Sequence, residues 1–154
     1  MATRVLSMKR RAIGLIIGLW LAGAALAETD ESPHLVGLMG DMQRFAHKLQ
    51  LSLDAENALL ADFYAHELGG AIAAVGQIDS YSDYPVGRLT TSTLSPLLKK
   101  LIAGLDAGDL PRADNAFDAL LEGCNRCHAM TEHDYIRVQR NPANPYLQNF
   151  SVAP

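Results

Sequence analysis

Residues 109–128 read DLPRADNAFDALLEGCNRCH, and they set the architecture that we expect for the whole chain. Apolar residues recur here every three or four positions, which is the period of an α-helix that buries one face. Asp109 can cap the start of this helix, and Pro111 is tolerated in its first turn. The expected buried face consists of Ala113, Ala116, Phe117, Leu120, Leu121, Cys124, Cys127 and His128. One helix cannot bury such a face alone, so the rest of the chain must supply partners.

Three more helical stripes precede this stretch. The first predicted helix begins near Ser32 and Pro33, and its stripe is Leu35, Leu38, Met39, Met42, Phe45, Ala46 and Leu49. The second is capped by Ser52, and its stripe is Leu59, Leu60, Phe63, Ala71, Ile72, Val75 and Ile78. After a polar connection over residues 79–93, the third opens at Ser95 and Pro96, carries Leu97, Leu98, Leu101, Ile102 and Leu105, and stops at Gly108. The pattern predicts an all-α fold, an antiparallel four-helix bundle, followed by a partly irregular tail over about residues 134–154.

The first 27 residues have the pattern of an export signal. Four basic residues lie before residue 12, an uncharged and mostly apolar run follows, and Ala25-Leu26-Ala27 offers a cleavage site. This is the layout of a secretory signal peptide, and the apolar run is shorter than the about 20 residues that span a bilayer. We therefore expect a cleaved signal at residues 1–27, a mature domain at residues 28–154 in the periplasm, and no membrane span after cleavage. An uncleaved anchor is the alternative.

The charge of the chain divides at the same place. The formal charge of the 154 residues is −4, but residues 1–27 hold four of the 13 basic residues and none of the 17 acidic ones. Residues 28–154 therefore carry nine bases against 17 acids, a net charge of −8. Nucleic acid is not an expected partner of such an acidic domain. Two cysteines are too few for a disulfide framework.

Cys124, Cys127 and His128 form the pattern C-x-x-C-H. In c-type cytochromes, two thiols at this spacing join the haem as thioethers, and the histidine that follows binds the iron. His128 follows Cys124 by four residues and therefore lies on the same helical face. We expect one covalent haem c, held by Cys124 and Cys127, with His128 as the proximal iron ligand.

The two cysteines have three alternative interpretations. A thioredoxin-like redox pair normally lies in a βαβ unit, which is not predicted here. A zinc site needs a second pair of ligands with its own spacing, and the chain has no further cysteine. The third alternative is a plain structural disulfide. The signal peptide and the position of the motif on a buried helical face favour haem.

A signal peptide, four helices and C-x-x-C-H on the last helix resemble the class II cytochromes c, the cytochrome c′ group. The resemblance covers about residues 33–130, and residues 124–128 are its only specific motif. It implies a four-helix bundle with one haem on the fourth helix. Members of the group usually end soon after the motif, whereas this chain continues for 26 residues beyond His128. The atypically long tail is long enough to fold over the haem edge.

The resemblance also implies that the first helix supplies the residue on the other face of the iron. That residue is a methionine in electron carriers and a non-ligating residue in proteins that bind NO or CO. Met42 and Met39 both lie on the expected stripe, and either is a candidate distal ligand; core packing is the alternative role for each. His47 and His66 are expected to lie away from the iron. Phe45, Phe63 and Phe117 are expected either to wall the haem or to fill the core.

The function that we expect is one-electron transfer by a periplasmic monohaem c-type cytochrome. No acid–base pair or nucleophile constellation in the sequence indicates an enzyme that acts on an organic substrate. The expected partner is a redox protein with a basic docking surface, and a second copy of the chain is an alternative. Three other functions stay open: a gas-binding protein with a distal site lined by Leu38, Met39 and Met42, a haem subunit docked onto a larger redox complex by its tail, and a dithiol protein without haem.

Overall fold

The computed structural model describes residues 35–152, and these residues form four α-helices without a β-strand among them. The helices are α1 (Leu35–Asp54), α2 (Ala58–Val75), α3 (Val86–Asp106) and α4 (Leu110–Met130). Each helix packs on the next along the chain, while α1 and α4 touch each other much less. The prediction of an all-α fold with four helices is confirmed for the described residues. The predicted signal peptide and the predicted helix start at Ser32 and Pro33 lie outside them.

The start of α4 is the one that the sequence predicts. Asp109 is its N-cap, and the Asp109 side chain accepts a hydrogen bond of 3.0 Å from the backbone N–H of Arg112. Gly108, the predicted stop of the preceding helix, has a φ of +67°, a left-handed conformation that suits glycine. The turn between α3 and α4 is therefore encoded by its own residues.

The prediction that Ser52 caps the second helix is wrong. Ser52 lies inside α1 and is fully buried, and its hydroxyl donates a hydrogen bond of 2.8 Å to the carbonyl of Lys48. A serine that bonds one turn back along its own helix can stay in a helix interior. The N-cap of α2 is Asn57, whose side chain accepts a hydrogen bond from the N–H of Leu60.

The predicted start of the third helix at Ser95 and Pro96 is also wrong, because α3 begins at Val86. Most of the polar stretch over residues 79–93 is thus helical, and the connection shortens to residues 76–85. Thr90 is buried, and the Thr91 hydroxyl donates a hydrogen bond of 2.8 Å to the carbonyl of Gly87. Hydroxyl groups satisfied in this way allow a polar run to continue as a helix. Pro96 lies in the helix interior.

The buried face of α2 differs from the predicted stripe. Leu59 and Phe63 are exposed by 87% and 53%, whereas Ala71, Ile72 and Val75 are buried as predicted. The remaining buried residues of α2 are Ala61, Tyr64, Ala65 and Leu68. Tyr64 is buried because its hydroxyl has a polar partner: it donates a hydrogen bond of 2.6 Å to the Gln148 side chain. None of the described helices combines the length and the apolar character needed to cross a membrane.

Gly87, the second residue of α3, lies against the backbone of Gly76 and Ile78, which follow α2. A Cβ atom at this position would clash with the carbonyl oxygen of Ile78 and would lie 2.7 Å from that of Gly76. The N–H of Gly87 also donates a hydrogen bond of 3.0 Å to the Ile78 carbonyl, which fixes the two backbones against each other. There is no flexible side chain here that could move aside.

We therefore expect Gly87→Ala to lower the free energy of unfolding by about 1–3 kcal/mol, the usual cost of overpacking. Urea denaturation followed by circular dichroism measures the change. Gly70→Ala is the control, because a Cβ there meets nothing within 4 Å. That control should instead stabilise α2 by about 0.5–1 kcal/mol, since alanine is favoured over glycine inside a helix. Equal stabilities of the two variants would contradict the close approach at Gly87.

Candidate cofactor site

A cavity of about 490 Å³ in the described part of the chain is lined by side chains from all four helices and from the tail. This volume lies within the about 300–1,000 Å³ that is usual for ligand pockets. Its lining is mainly apolar and includes Met39 and Met42 of α1, Leu68 and Ile72 of α2, Leu94 of α3, Leu120 and Leu121 of α4, and Ile136 and Val138 of the tail. The cavity therefore suits a large and mostly apolar ligand.

Cys124, Cys127 and His128 all line this cavity from α4. Residues three and four positions apart lie on one face of a helix, so the spacing of the motif presents the three side chains to one space. Each of the three is partly buried, and neither thiol is part of a disulfide. Arg126, between the two cysteines, is exposed and is not part of the cavity lining. The structure thus brings the three predicted site residues together.

The two thiols are held in their protonated form. Burial raises the pKa of the Cys124 thiol to about 12. Burial also raises the pKa of Cys127, although a hydrogen bond from Thr93 and the charge of Arg126 both act to lower it. Reactive redox cysteines have a lowered pKa, because the thiolate is the nucleophile. The environment of these thiols is therefore unlike that of a dithiol oxidoreductase.

The imidazole of His128 is oriented by the tail. Its Nδ1 lies 2.8 Å from the carbonyl oxygen of Ile136, and a carbonyl can only accept a hydrogen bond. Nδ1 therefore carries a proton, and the lone pair of the neutral ring lies on Nε2. Histidines that bind metals usually donate their other ring N–H to a carbonyl or a carboxylate in this way. His128 thus has the tautomer that an iron ligand bound through Nε2 requires.

Met39 and Met42 both line the cavity from α1. Met42 is buried, and Met39 is partly buried against the core. The thioether sulfur of either residue is an iron ligand of the type found in cytochromes. Leu38, which was expected beside them, is not part of the lining and packs against the core instead. The two methionines remain equivalent candidates.

His47, His66 and the three phenylalanines of the helices lie away from the cavity. His47 has both ring nitrogens engaged: Nε2 donates to the carbonyl of Asn141, and Nδ1 accepts from the Tyr146 hydroxyl. His66 is exposed and faces Asp62. Of the two roles expected for the phenylalanines, the cavity gives no support to the first, because its lining contains none of Phe45, Phe63 and Phe117. Phe117 is a core residue that is exposed by only 1%.

Residues 131–152 form the tail, which follows α4 without helix or strand, as predicted for its part from residue 134 onward. Long-range hydrogen bonds fasten it to α1. Asn141 accepts hydrogen bonds from the side chains of His47 and Gln50 through its carbonyl and donates its backbone N–H to Gln50 Oε1. The Gln148 side chain accepts a further hydrogen bond from Lys48. Such contacts between residues about 90 positions apart have no signature in helical periodicity.

Arg140 fastens the tail to α4 and α1. Its guanidinium contacts Asp114 and Asp118 at 2.7 Å each and Asp54 at 3.4 Å. The same group lies over the ring of Phe117, 5.1 Å from the ring centroid. Through these anchors, the tail supplies Thr131, His133, Ile136, Arg137 and Val138 to the cavity wall. No sequence motif assigns a role to these five residues. The unusual length of the tail is the one feature of the sequence that indicates a contact with the site.

Within residues 35–152, no three side chains of His, Cys, Asp or Glu come together as ligands for a bare metal ion. Comparisons of the chain with known protein families, curated proteins and solved structures gave no match. The class of protein must therefore be inferred from the residues of the site themselves.

Proposed function

We propose that this chain is an exported monohaem c-type cytochrome, similar to cytochrome c′, that transfers single electrons in the periplasm. The observation that carries the proposal is the shared cavity of Cys124, Cys127 and His128, in which two free thiols and an Nε2 lone pair meet mainly apolar walls. Two thiols and a neutral imidazole in this order are the donor set that a covalent haem requires. The residues present therefore fit the cofactor.

The residues divide the work of holding the haem. Cys124 and Cys127 would form the two thioethers, and His128 would bind the iron through Nε2. The bound haem would supply the one-electron Fe(III)/Fe(II) couple. The walls are mainly apolar, and the polarity around an iron site is one of the features by which a protein tunes its potential. No residue of the cavity needs to act as an acid, a base or a nucleophile for this function.

The finer architecture belongs to the same proposal. Residues 55–57 join α1 to α2, and residues 107–109 join α3 to α4. Connections this short favour antiparallel neighbours, so we propose an antiparallel bundle with the haem on α4. Residues 1–27 would direct export and be removed. The net charge of −8 on residues 28–154 suits a redox partner with a basic docking surface.

Expression in a bacterium that attaches haem in its periplasm tests the proposal. We expect a coloured protein whose haem stays with the polypeptide in a denaturing gel and in acidified acetone, in a ratio of one haem per chain. A purified protein that is folded and colourless would overturn the proposal. Separate replacement of the apolar run in residues 12–24 by a polar sequence should keep the protein in the cytoplasm without haem.

The two methionines give a second prediction. If Met42 or Met39 binds the iron, replacing that residue by leucine removes the low-spin spectrum and lowers the potential, because a thioether ligand raises it. Replacing the other methionine leaves both properties unchanged, so Met42→Leu and Met39→Leu are controls for each other. Absorption spectra of the reduced and oxidised proteins and a redox titration measure the effect. If both variants keep the spectrum and the potential of the wild type, neither methionine binds the iron.

A gas-binding function is the second candidate, because the α1 side of the cavity contains no histidine that could bind the second face of the iron. That side is formed by Leu35, Val36, Met39, Gly40, Met42, Gln43 and Ala46, so the second face would be free for a gas if neither methionine binds the iron. A high-spin wild type that binds CO or NO in its reduced form would select this function over electron transfer. The covalent haem site of α4 is common to both.

A further inference from the structure

Asn125 occupies one of the two variable positions of the C-x-x-C-H motif, where thioether spacing makes no demand on the side chain. Its carboxamide is nevertheless fully engaged with the tail. The Nδ2 group donates a hydrogen bond of 2.9 Å to the carbonyl of Val138, and Oδ1 accepts one of 2.8 Å from the N–H of Val138. The side chain thus pairs with one tail residue in both directions, as a neighbouring β-strand would.

Val138 lies two residues after Ile136, whose carbonyl accepts a hydrogen bond from Nδ1–H of His128. Asn125 and His128 are three residues apart on α4 and are therefore neighbours on its surface. After the end of α4, the chain reverses its direction at Glu132, which has a φ of 60°. The N–H of His133 donates a hydrogen bond of 2.8 Å to the His128 carbonyl and closes this reversal. Asn125 and His128 thus both form hydrogen bonds with residues 136–138 of the tail.

We propose that Asn125 is a positioning residue for the iron ligand: it holds residues 136–138 so that the Ile136 carbonyl fixes the tautomer and the ring plane of His128. This inference rests on the proposed haem function. An acceptor at Nδ1–H makes an imidazole a stronger electron donor, and such outer partners tune the metal that the histidine binds. A more basic ligand favours Fe(III) over Fe(II). Asn125 therefore acts, through Ile136 and His128, to lower the reduction potential.

The rest of the tail is held independently of Asn125. Arg140 keeps its contacts with Asp114 and Asp118, and Asn141 keeps its paired hydrogen bonds with Gln50. Loss of the Asn125 carboxamide should therefore loosen residues 136–138 without releasing the whole tail. The two thiols are not touched by the change, so haem attachment should continue.

The test compares Asn125→Ala with Asn115→Ala in the haem-loaded protein. Asn115 lies on the same helix, and its side chain bonds only to the carbonyl of Pro111 one turn earlier. In Asn125→Ala we expect the Nδ1 proton of His128 to exchange with D₂O about tenfold faster by proton NMR, as the loss of one or two hydrogen bonds implies. The reduction potential should rise, and neither quantity should change in Asn115→Ala.

Asn125→Gln keeps both polar groups of the carboxamide on a longer side chain, and it should restore part of the slow exchange and of the low potential. A stable, haem-loaded Asn125→Ala protein with the exchange rate and potential of the wild type would overturn the inference. If Asn125→Ala does not fold, Asn125→Gln provides the test. The inference is then overturned if the Val138 amide of Asn125→Gln exchanges faster than in the wild type while the potential and the exchange of the His128 Nδ1 proton stay unchanged. A wild type that carries no haem would overturn the proposed function instead, and this is seen before any variant is compared.

Discussion

Replacing Cys124 and Cys127 together by alanine should remove all covalently attached haem from the protein. The two thiols are the only cysteines of the chain, so no other sulfur can form a thioether at this site. The apolar cavity and His128 remain, and they can still retain haem by ligation and burial alone. The expected result is therefore a change in the kind of attachment: any haem in the double variant is extracted by acidified acetone, whereas that of the wild type is not.

Haem staining of a denaturing gel measures this prediction directly, and the loss should be complete. Met130→Ala is a matched control, because Met130 also carries sulfur, lies at the end of α4 and is 46% exposed. That variant should keep a full haem stain. Single replacements of Cys124 or Cys127 should keep one thioether and therefore a covalent haem with a shifted spectrum. A double variant that retains its haem in the denaturing gel would contradict the assignment of both thiols.

The parts of the structure that sequence predicts are those whose causes are local. Asp109 caps α4 because its own side chain reaches the N–H of Arg112. The motif residues share a face because helical geometry puts them there, whatever surrounds the helix. Met39 and Met42 meet the same cavity for the same reason. In each case, the information lies within about one helical turn of the residue.

The wrong predictions have two kinds of cause. Some depend on contacts between residues that are far apart in the sequence, and others depend on hydroxyl residues that continue a helix where they usually precede one. The face of α2 is shifted because Tyr64 is buried against Gln148, 84 residues later. The start of α3 differs from the prediction because the hydroxyl groups of Thr91 and Ser92 bond to the backbone of their own helix and do not end it. The structure of the tail depends on pairs such as Asn125 with Val138 and Arg140 with Asp114, which no periodic pattern encodes.

The tail changes what the proposed cytochrome can do with its haem. Ile136 and Val138 line one side of the cavity, and the Ile136 carbonyl also accepts a hydrogen bond from Nδ1–H of His128. A bundle that ended at Met130 would leave that ring without this partner and this side of the cavity open. In the proposed cytochrome the tail would therefore be part of the site, and its attachment should affect the properties of the haem as well as the stability of the protein.

Phe150→Ala should detach the end of the tail and cause the largest loss of stability among single changes in it. Phe150 is 6% exposed and packs near the rings of Tyr64 and Tyr146, with centroid distances of 6.2 and 6.3 Å. The side chain of Asn57 donates hydrogen bonds to the carbonyls of Phe150 and Ser151 at the same place. A buried phenylalanine replaced by alanine usually costs about 3–5 kcal/mol. Here, local undocking of the tail limits the loss of global stability to the free energy with which the tail binds the bundle.

The two ways in which the protein can respond are distinguished by two measurements. Thermal unfolding reports the global loss, and limited proteolysis reports an undocked tail through faster cleavage beyond residue 140. Leu147→Ala is the control, since Leu147 lies three residues earlier and its side chain is fully exposed; it should behave as the wild type in both measurements. If the tail detaches as far back as Val138, the hydrogen bond between the Ile136 carbonyl and Nδ1–H of His128 would also be lost. The reduction potential of the proposed haem should then rise. A Phe150→Ala protein with wild-type stability and unchanged cleavage would contradict this prediction, and it would show that the contacts of Arg140 and Asn141 fix the tail without Phe150.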